Sequence, residues 1–214
     1  MITIITHKNL TILEQCVKSL FDFQTEEHTV LICETSDDTQ SKQIADKYNC
    51  LYANTGPNYE AGAINYSFKK YPKEEEYFFF QDSIEFMAFE WERIFKIPSR
   101  NGEKCVGLST FPINHDHMDT IHARSWYKSV SGNDYDWSTN PIFGNMVYCT
   151  NKIKDIFVAN KCYDFIPKNK LDSCAMERIW PALLTPDKLS FTSEYTNDFW
   201  GWQLYIKKIW HSRG

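Results

Sequence analysis

An acidic residue follows the most apolar run of the chain. Asp82 stands in Gln81-Asp82-Ser83, directly after the run Tyr77 to Phe80, and Glu85 lies three residues further on. A carboxylate at this point could bind a hard divalent ion through oxygen, with phosphate oxygens and water in the remaining positions. Such an ion would neutralise the charge that develops on a departing diphosphate. The alternative is that Asp82 caps the turn that follows it.

Two other polar segments follow strand-like runs. Thr6-His7-Lys8-Asn9 precedes a predicted helix, where free backbone N–H groups favour an anion. The segment has no glycine, so neither a dinucleotide-binding loop nor a P-loop is supported, and a polar loop without ligand is the alternative. Glu34 opens an acidic segment, residues 34–38, and could accept hydrogen bonds from a ribose or a base. Acidic turn residues are also ordinary helix caps.

Carboxylates and histidines in the second half offer further chemistry. Asp172 and Glu177 flank the start of a predicted helix, and either could act as general base toward a sugar hydroxyl. Helix capping by Asp172 and a surface ion pair of Glu177 are the alternatives. The His-Asp-His-x-Asp cluster at residues 115–119 has an i, i+2 spacing that suits no helix-borne zinc pair, which favours a solvated loop. Trp137 and Trp200 stand beside polar residues and are the candidates for stacking on a sugar.

The apolar patterns predict alternating strands and helices that would position these residues. Predicted strands cover residues 2–6, 29–33, 51–53, 77–80, 105–108 and 146–149. Predicted helices start at a Thr11/Glu14 capping box and cover residues 40–48, 61–71, 152–158 and 172–184, the last interrupted at Pro181. Residues 109–140 are expected to form a long functional loop region. The alternation predicts a parallel α/β core, in which ligands bind at the carboxyl ends of strands.

Composition narrows the class of protein. The chain has 214 residues and a net charge of -5, with no long Lys/Arg run, so nucleic acid is not the expected partner. The 7 cysteines are scattered and form no C-x-x-C pair, which favours reduced thiols and a reducing, cytoplasmic compartment. No secretory signal and no run of about 18 apolar residues is apparent, so a soluble chain without a transmembrane segment is expected.

Taken in order, these segments resemble the GT-A glycosyltransferases, especially the large inverting family 2. The segments similar to that family are residues 2–9 (opening strand and Asn-ended loop), 34–38 (acidic turn), 54–56 and 61–65 (Asn/Gly/Ala loop and helix), 80–83 (metal-binding Asp-x-Asp segment) and 144–146 (glycine-led strand). Asp172, six residues before Arg178, falls where the family carries an acidic pair that supplies the base. The clearest departure is Gln81-Asp82-Ser83, which has one acid where the family has two or three.

The resemblance implies a single GT-A (Rossmann-like) α/β domain, with a mixed, mostly parallel central sheet flanked by helices. A nucleotide-binding half would span about residues 1–100 and an acceptor-binding half about residues 101–214. Asp82 would hold Mn²⁺ or Mg²⁺ with His211 as a second ligand, and Asp172 or Glu177 would be the base. The implied donor-binding residues are Thr6, His7, Asn9, Glu34, Gly62, Asn65, Gln81, Asp82, Ser83, Gly144 and Asn145.

The implied activity is transfer of a hexose, with inversion, from a nucleotide-diphosphate sugar to a hydroxyl of a glycan or glycoprotein acceptor. A UDP-sugar such as UDP-glucose is the implied donor. The first third also resembles a glycosyltransferase that chlorella viruses encode for their capsid glycans, which would make the chain a module of a longer polypeptide in the host cytoplasm. Two alternatives stay open: a sugar-phosphate nucleotidyltransferase, whose Gly-rich basic signature is missing after the first strand, and a non-catalytic nucleotide-sugar or carbohydrate-binding module.

Overall fold

A central sheet organises the protein. The computed structural model describes residues 1–134 and 140–209, so Trp137 and His211 lie outside the described residues. The strands are β1 (Ile2–Thr6), β2 (Val30–Glu34), β3 (Leu51–Asn54), β4 (Glu76–Gln81), β5 (Ile84–Phe86), β6 (Cys105–Gly107), β7 (Val147–Thr150), β8 (Leu189–Phe191) and β9 (Ile206–Lys208). The central sheet has the order β3-β2-β1-β4-β7-β6-β8, and β5 pairs with β9 in a small second sheet.

The first four strands of the sheet are parallel. β1 pairs in parallel with β2 and β4, and β2 pairs in parallel with β3, whereas β7 runs antiparallel between β4 and β6. In β1, Thr6 lies opposite Glu34 of β2 and Ile5 opposite Gln81 of β4. The carboxyl ends of three strands therefore meet at one edge. The mixed, mostly parallel α/β sheet that the resemblance implies is confirmed, and the antiparallel β7 departs from the purely parallel core that the alternation predicts.

Helices cover the sheet on both faces. They are α1 (Leu10–Phe23), α2 (Lys42–Lys47), α3 (Tyr59–Lys70), α4 (Arg93–Lys96), α5 (Met118–Ser131), α6 (Asn151–Ala159), α7 (Lys170–Ala182) and α8 (Ser193–Thr196). Short 3-10 turns occur at Phe143–Asn145, Cys162–Asp164, Pro186–Lys188 and Gly201–Leu204. No helix in the described part of the chain has the length and apolar composition needed to cross a membrane.

The core has two parts, one on each face of the sheet. Side chains of a strand alternate between faces, so Tyr77 and Phe79 of β4 join one buried cluster while Phe78 and Phe80 join the other. Trp91 packs edge-on against Phe78, with ring centroids 5.2 Å apart. Because β4 is buried on both faces, it forms a rigid support for the polar residues that follow it.

Helix α1 begins earlier than the Thr11/Glu14 capping box predicts. Its N-cap is Asn9, whose Oδ1 accepts a hydrogen bond of 3.3 Å from the backbone N–H of Ile12. Asparagine is one of the best N-cap residues because its side chain satisfies an otherwise free N–H of the first turn. Asn9 therefore fixes the start of the helix and the loop that leads into it.

The expected loop over residues 109–140 is wrong, because it contains the 14-residue helix α5. Only Thr120 and Ala123 of α5 are fully buried, but Trp126, Tyr127 and Val130 follow Ala123 at helical spacing and pack, partly buried, against the core. A polar contact adds to this packing: Arg178 Nε of α7 donates to Thr120 Oγ1 at 3.1 Å. His117 caps α5 and accepts from the Asp119 N–H at 3.3 Å.

Pro181 does not interrupt α7, which continues to Ala182. Proline lacks the N–H that would bond to the carbonyl four residues earlier, here that of Glu177. The backbone N–H of Ile142 takes this place and donates to the Glu177 carbonyl at 2.8 Å. The same contact ties the turn Phe143–Asn145 to α7 and brings Gly144 beside the Glu177 side chain.

Candidate functional site

A cavity of ≈ 340 Å³ opens at the carboxyl ends of β1, β2 and β4. Its lining residues are Ile5, Thr6, His7, Thr35, Tyr59, Glu60, Gln81, Asp82, Ser83 and Lys170. Ligands of open α/β sheets bind at this edge, where strand ends leave a crevice between the loops. We call it the strand-end cavity.

Asp82 is held at the base of the strand-end cavity. Its backbone N–H donates to the Ile5 carbonyl at 2.9 Å, and its Oδ2 accepts from the Thr6 hydroxyl at 2.6 Å. Burial raises the pKa of the Asp82 carboxyl, whereas the Thr6 hydrogen bond and the Lys208 ammonium lower it. A carboxylate in this setting gains from a cation that compensates its lost hydration.

Glu60 also lines the cavity, a role that no pattern in the sequence indicates. Gln81 Nε2 donates to Glu60 Oε1 at 2.8 Å, and Ser173 Oγ donates to Glu60 Oε2 at 3.0 Å. Glu60 lies in the first turn of α3, so it reaches the cavity from a helix that the resemblance had already placed beside a donor. Gln81, one of the predicted donor-binding residues, is thereby oriented by an acid.

Lys208 enters the same region from β9. Its Nζ donates to Gln81 Oε1 at 2.7 Å and to Ser83 Oγ at 2.5 Å, so it bridges the residues on either side of Asp82. The sequence does not single out Lys208, because Ile206-Lys207-Lys208-Ile209 lacks the apolar/polar alternation typical of a strand.

The charges around the strand-end cavity are not paired with each other. Within residues 1–134 and 140–209, no ion pair involves Asp82, Glu60, Lys170 or Lys208. Asp82, Glu60 and Lys208 are partly buried, and a partly buried charge without an opposite charge nearby lowers the stability of the fold. A ligand that carries both anionic groups and an associated cation would satisfy this set of side chains.

Glu177 adjoins the cavity through Gly144. The Gly144 N–H donates to Glu177 Oε1 at 2.9 Å, and Gly144 packs so closely on the Gln81 amide that an added Cβ would lie 3.2 Å from it. Burial raises the pKa of Glu177 to about 7, against the opposing effects of the Gly144 N–H and the Arg178 guanidinium. A carboxyl group with this pKa can accept a proton near neutral pH.

Asp172 lines a different cavity of ≈ 310 Å³, which we call the α5–α7 cavity. His122 Nε2 lies 2.7 Å from Asp172 Oδ1, and the Lys168 N–H donates to Oδ2 at 2.8 Å. Trp126 stacks near the His122 ring at 5.9 Å. Both Asp172 oxygens are therefore engaged within the fold, an arrangement that fixes the orientation of the His122 ring.

Of the remaining predicted residues, His7 lines the strand-end cavity, whereas Glu34 and Asn65 lie beneath or away from its surface. His7 is exposed and lies 3.2 Å from the Thr35 carbonyl through Nδ1. Glu34 is fully buried; its Oε2 accepts from Ser41 at 2.9 Å, and its Oε1 has no hydrogen-bond partner among the described residues. Asn65 donates to the Cys162 carbonyl at 3.3 Å, on the core side of α3.

Two predicted positions are fixed by backbone geometry. Gly62 lies where an added Cβ would be 2.3 Å from Asn58 Cβ, so a small residue is needed for the first turn of α3. Asn145 is 2 % exposed and adopts a positive φ of 52°, with no partner for its Oδ1 in the described structure. Neither lines the strand-end cavity.

The cavity fits a divalent ion only as part of a complex with a ligand. No group of three or more His, Cys, Asp or Glu side chains that could hold a metal occurs among the described residues. Mg²⁺ and similar hard ions commonly use one or two carboxylates together with substrate phosphates and water. Asp82 offers one such carboxylate, so the residues suit an ion that arrives with a diphosphate.

Trp200 contributes to a third, apolar cavity of ≈ 200 Å³ with Phe143, Phe199 and Trp202. Trp200 is 53 % exposed, so its ring is accessible to a ligand. Phe143 directly precedes Gly144, which places this cavity next to the Glu177 contact.

Comparison with known proteins identifies the fold. No protein-family model matches the sequence, and no curated protein matches it. Among solved structures, glucosyl-3-phosphoglycerate synthase from Mycobacterium tuberculosis, in complex with Mn²⁺, UDP and glucosyl-3-phosphoglycerate, superposes with a TM-score of 0.55 at 10 % identity, covering 89 % of this chain and 68 % of that one. The likeness is one of fold.

A second solved structure gives the same result. S. aureus TarS 1–349 superposes with a TM-score of 0.54 at 13 % identity, over 89 % of this chain. This chain spans 57 % of that TarS chain, less than two thirds of its length. Both likenesses agree with the Rossmann-like α/β architecture, and neither assigns a role to a residue of this protein.

Proposed function

We propose that this protein is a glycosyltransferase that moves a hexose from a nucleotide-diphosphate sugar to a hydroxyl of a glycan acceptor, with inversion. The observation that carries the proposal is the strand-end cavity, where the Asp82 carboxylate accepts from the Thr6 hydroxyl and the Lys208 ammonium lowers its pKa. The fold likeness to a synthase crystallised with Mn²⁺ and UDP supports a UDP-sugar such as UDP-glucose as donor. When bound, Mn²⁺ or Mg²⁺ would neutralise charge on the departing diphosphate.

Glu177 is the proposed general base. Its carboxylate takes the proton of the acceptor hydroxyl, and the hydroxyl oxygen forms a bond to the anomeric carbon as the bond to the diphosphate breaks on the opposite face. The pKa of about 7 keeps a large ionised fraction at neutral pH while leaving the group basic enough to receive the proton. Asp172 is assigned to positioning His122, because both of its oxygens are already engaged.

The acceptor is proposed to bind at the apolar cavity that Trp200 lines. The exposed face of Trp200 and the adjoining Phe199 line an apolar cavity beside Phe143. Aromatic faces pack well on the apolar faces of sugars. The division into a donor half near residues 1–100 and an acceptor half near residues 101–214 is part of this proposal, as are the distal ligand His211, the viral type and the cytoplasmic location.

Calorimetry and a nucleotide-release assay test the proposal together. The wild-type protein should bind UDP more tightly with Mn²⁺ than with a chelator, and should release UDP from a UDP-sugar in the presence of an acceptor. Binding without turnover would instead support a non-catalytic nucleotide-sugar-binding module. Pyrophosphate release from UTP and a sugar phosphate would support the nucleotidyltransferase, and no binding of any nucleotide sugar would end the proposal.

A further inference from the structure

Lys208 is placed by strand pairing next to the diphosphate end of the proposed site. It is the last residue of β9, opposite Ile84 of β5, which begins two residues after Asp82. This pairing directs the lysine back over the Gln81 to Ser83 segment. Its ammonium lies 5.8 Å from the centroid of the Phe143 ring.

The two acceptors of the Lys208 ammonium are uncharged. Gln81 Oε1 and Ser83 Oγ each take one N–H, and no third acceptor and no carboxylate within 4.0 Å is found in the described structure. An ammonium has three N–H donors. One donor and the full positive charge are therefore left for a further partner.

The setting of the lysine is costly without such a partner. Burial lowers the pKa of the Lys208 ammonium, and the negative charges of Asp82 and Glu60 oppose that shift from a distance. Partly buried charges normally have an ion-pair partner, since neutral hydrogen bonds replace only part of the lost hydration. The ammonium thus favours an anion beside Gln81 and Ser83, two lining residues of the strand-end cavity.

We propose that Lys208 is a fixed cationic contact for the diphosphate of the nucleotide donor, so that β9 completes the donor site. This inference rests on the proposed function. Lys170, which lines the same cavity but is exposed, could also reach an anion. Lys208 differs because two hydrogen bonds hold its ammonium in place before a ligand arrives, which lowers the entropic cost of the contact.

The test compares UDP with uridine, which lacks the diphosphate. Lys208→Met keeps most of the aliphatic stem and removes the charge. In calorimetry with Mn²⁺, its affinity for UDP should fall about 10- to 100-fold, the effect of losing a hydrogen bond to a charged group. Its affinity for uridine should stay within about twofold. Lys207→Met, an exposed neighbour on the same strand, is the matched control and should change neither affinity.

A second variant separates charge from positioning. Lys208→Gln retains N–H donors for Gln81 and Ser83 but has no charge, and it also covers the case in which Lys208→Met does not fold. It should lose UDP affinity in the same way. An equal loss for UDP and uridine, an unchanged UDP affinity, or recovery by Lys208→Gln would each overturn the inference while leaving the nucleotide site in place. A wild-type protein that binds neither ligand would instead remove the proposed function itself.

Discussion

Two cavities are lined in part by residues of the first turn of α7. Each contains one aspartate, and the two aspartates differ in their charged partners. Lys170 lines the strand-end cavity with Asp82, whereas Asp172, two residues later, lines the α5–α7 cavity with His122. Asp82 has no ion-pair partner in the described residues, and burial raises its pKa. Asp172 lies 2.7 Å from a histidine nitrogen and also accepts a backbone N–H.

The difference separates a binding carboxylate from a positioning one. Acids whose hydrogen bonds and charge are satisfied within the fold add stability and orient their neighbours. Acids that remain uncompensated in a cavity depend on a ligand for that compensation, which is why perturbed groups collect at functional sites. By this criterion Asp82 belongs to the chemistry and Asp172 to its support. Glu177 is intermediate: Arg178 lies 3.7 Å from its Oε2, yet burial still raises its pKa to about 7.

Removal of the Asp82 charge should have the largest effect. Asp82→Asn retains an oxygen for the Thr6 hydroxyl and nearly the same volume, so the loop should keep its shape. We expect turnover of the UDP-sugar to fall on the order of 10³-fold, the size seen when a preorganised electrostatic contact to a developing charge is lost. The stimulation of UDP binding by Mn²⁺ should disappear with it. An Asp82→Asn protein with wild-type turnover in a UDP-release assay would show that Asp82 is not the ligand-binding carboxylate.

The strand-end position of Asp82 could be predicted because it depends on local patterns. The apolar runs at residues 2–6 and 77–80 indicate buried parallel strands, and the residue after such a strand falls at the edge where ligands bind. Glu60 and Lys208 could not be predicted in the same way. They contact Gln81 across sequence separations of 21 and 127 residues. The residues adjacent to them in sequence do not indicate this contact.

The errors in secondary structure have equally specific causes. The many polar residues of the 109–140 segment favour a loop, but Trp126 and Tyr127 on one face of α5 pack against Phe165 and hold the helix. Pro181 predicts an interruption of the helix, but the Ile142 N–H donates a hydrogen bond to the Glu177 carbonyl that the proline leaves without a partner. In both cases, a partner distant in sequence overrides a local rule.

Glu177 provides the next largest effect and a distinct pH dependence. Loss of a general base typically lowers the rate 10²- to 10⁴-fold, and we expect roughly 10²-fold for Glu177→Gln. The wild-type rate should rise as pH increases through about 7, because only the ionised carboxylate accepts a proton. This limb should vanish in the variant. A pH profile that persists in Glu177→Gln would assign the base to another residue.

The same substitution should make the protein more stable. The folded-state pKa of Glu177 lies above its ordinary value of 4.5, so the folded protein binds the proton more tightly than the unfolded chain does. Stability is then lost as pH rises from about 4.5 to about 7. A glutamine cannot ionise, so at pH 8 we expect Glu177→Gln to unfold with a higher free energy, by at most about 3 kcal/mol, because the buried Arg178 loses a charged partner at 3.7 Å. Urea denaturation at pH 5 and pH 8 measures the difference, which should be smaller at pH 5.

Gly144→Ala should have a moderate effect, confined to the strand-end cavity. Gly144 has a positive φ of 59°, and an added Cβ would lie 3.2 Å from the Gln81 amide. The left-handed conformation costs an alanine roughly 1–2 kcal/mol, and displacement of Gln81 should loosen its contacts with Glu60 and Lys208. We expect a several-fold weaker affinity for UDP. Gly132→Ala is the control, because Gly132 also has a positive φ but no atom lies within 4 Å of its added Cβ.

The smallest effect on the donor should come from the α5–α7 cavity, and this result decides whether the two cavities differ as argued. Asp172→Asn replaces the charged partner of His122 and weakens the contact with the Lys168 N–H. We expect a loss of about 1–3 kcal/mol in the free energy of unfolding, because hydrogen bonds to a charged group are involved. UDP affinity should stay within about twofold of wild type, since no lining residue is shared with the strand-end cavity. A large drop in UDP affinity at unchanged stability would mean that Asp172 contributes to donor binding. The assignment of Glu177 as the base would then be withdrawn.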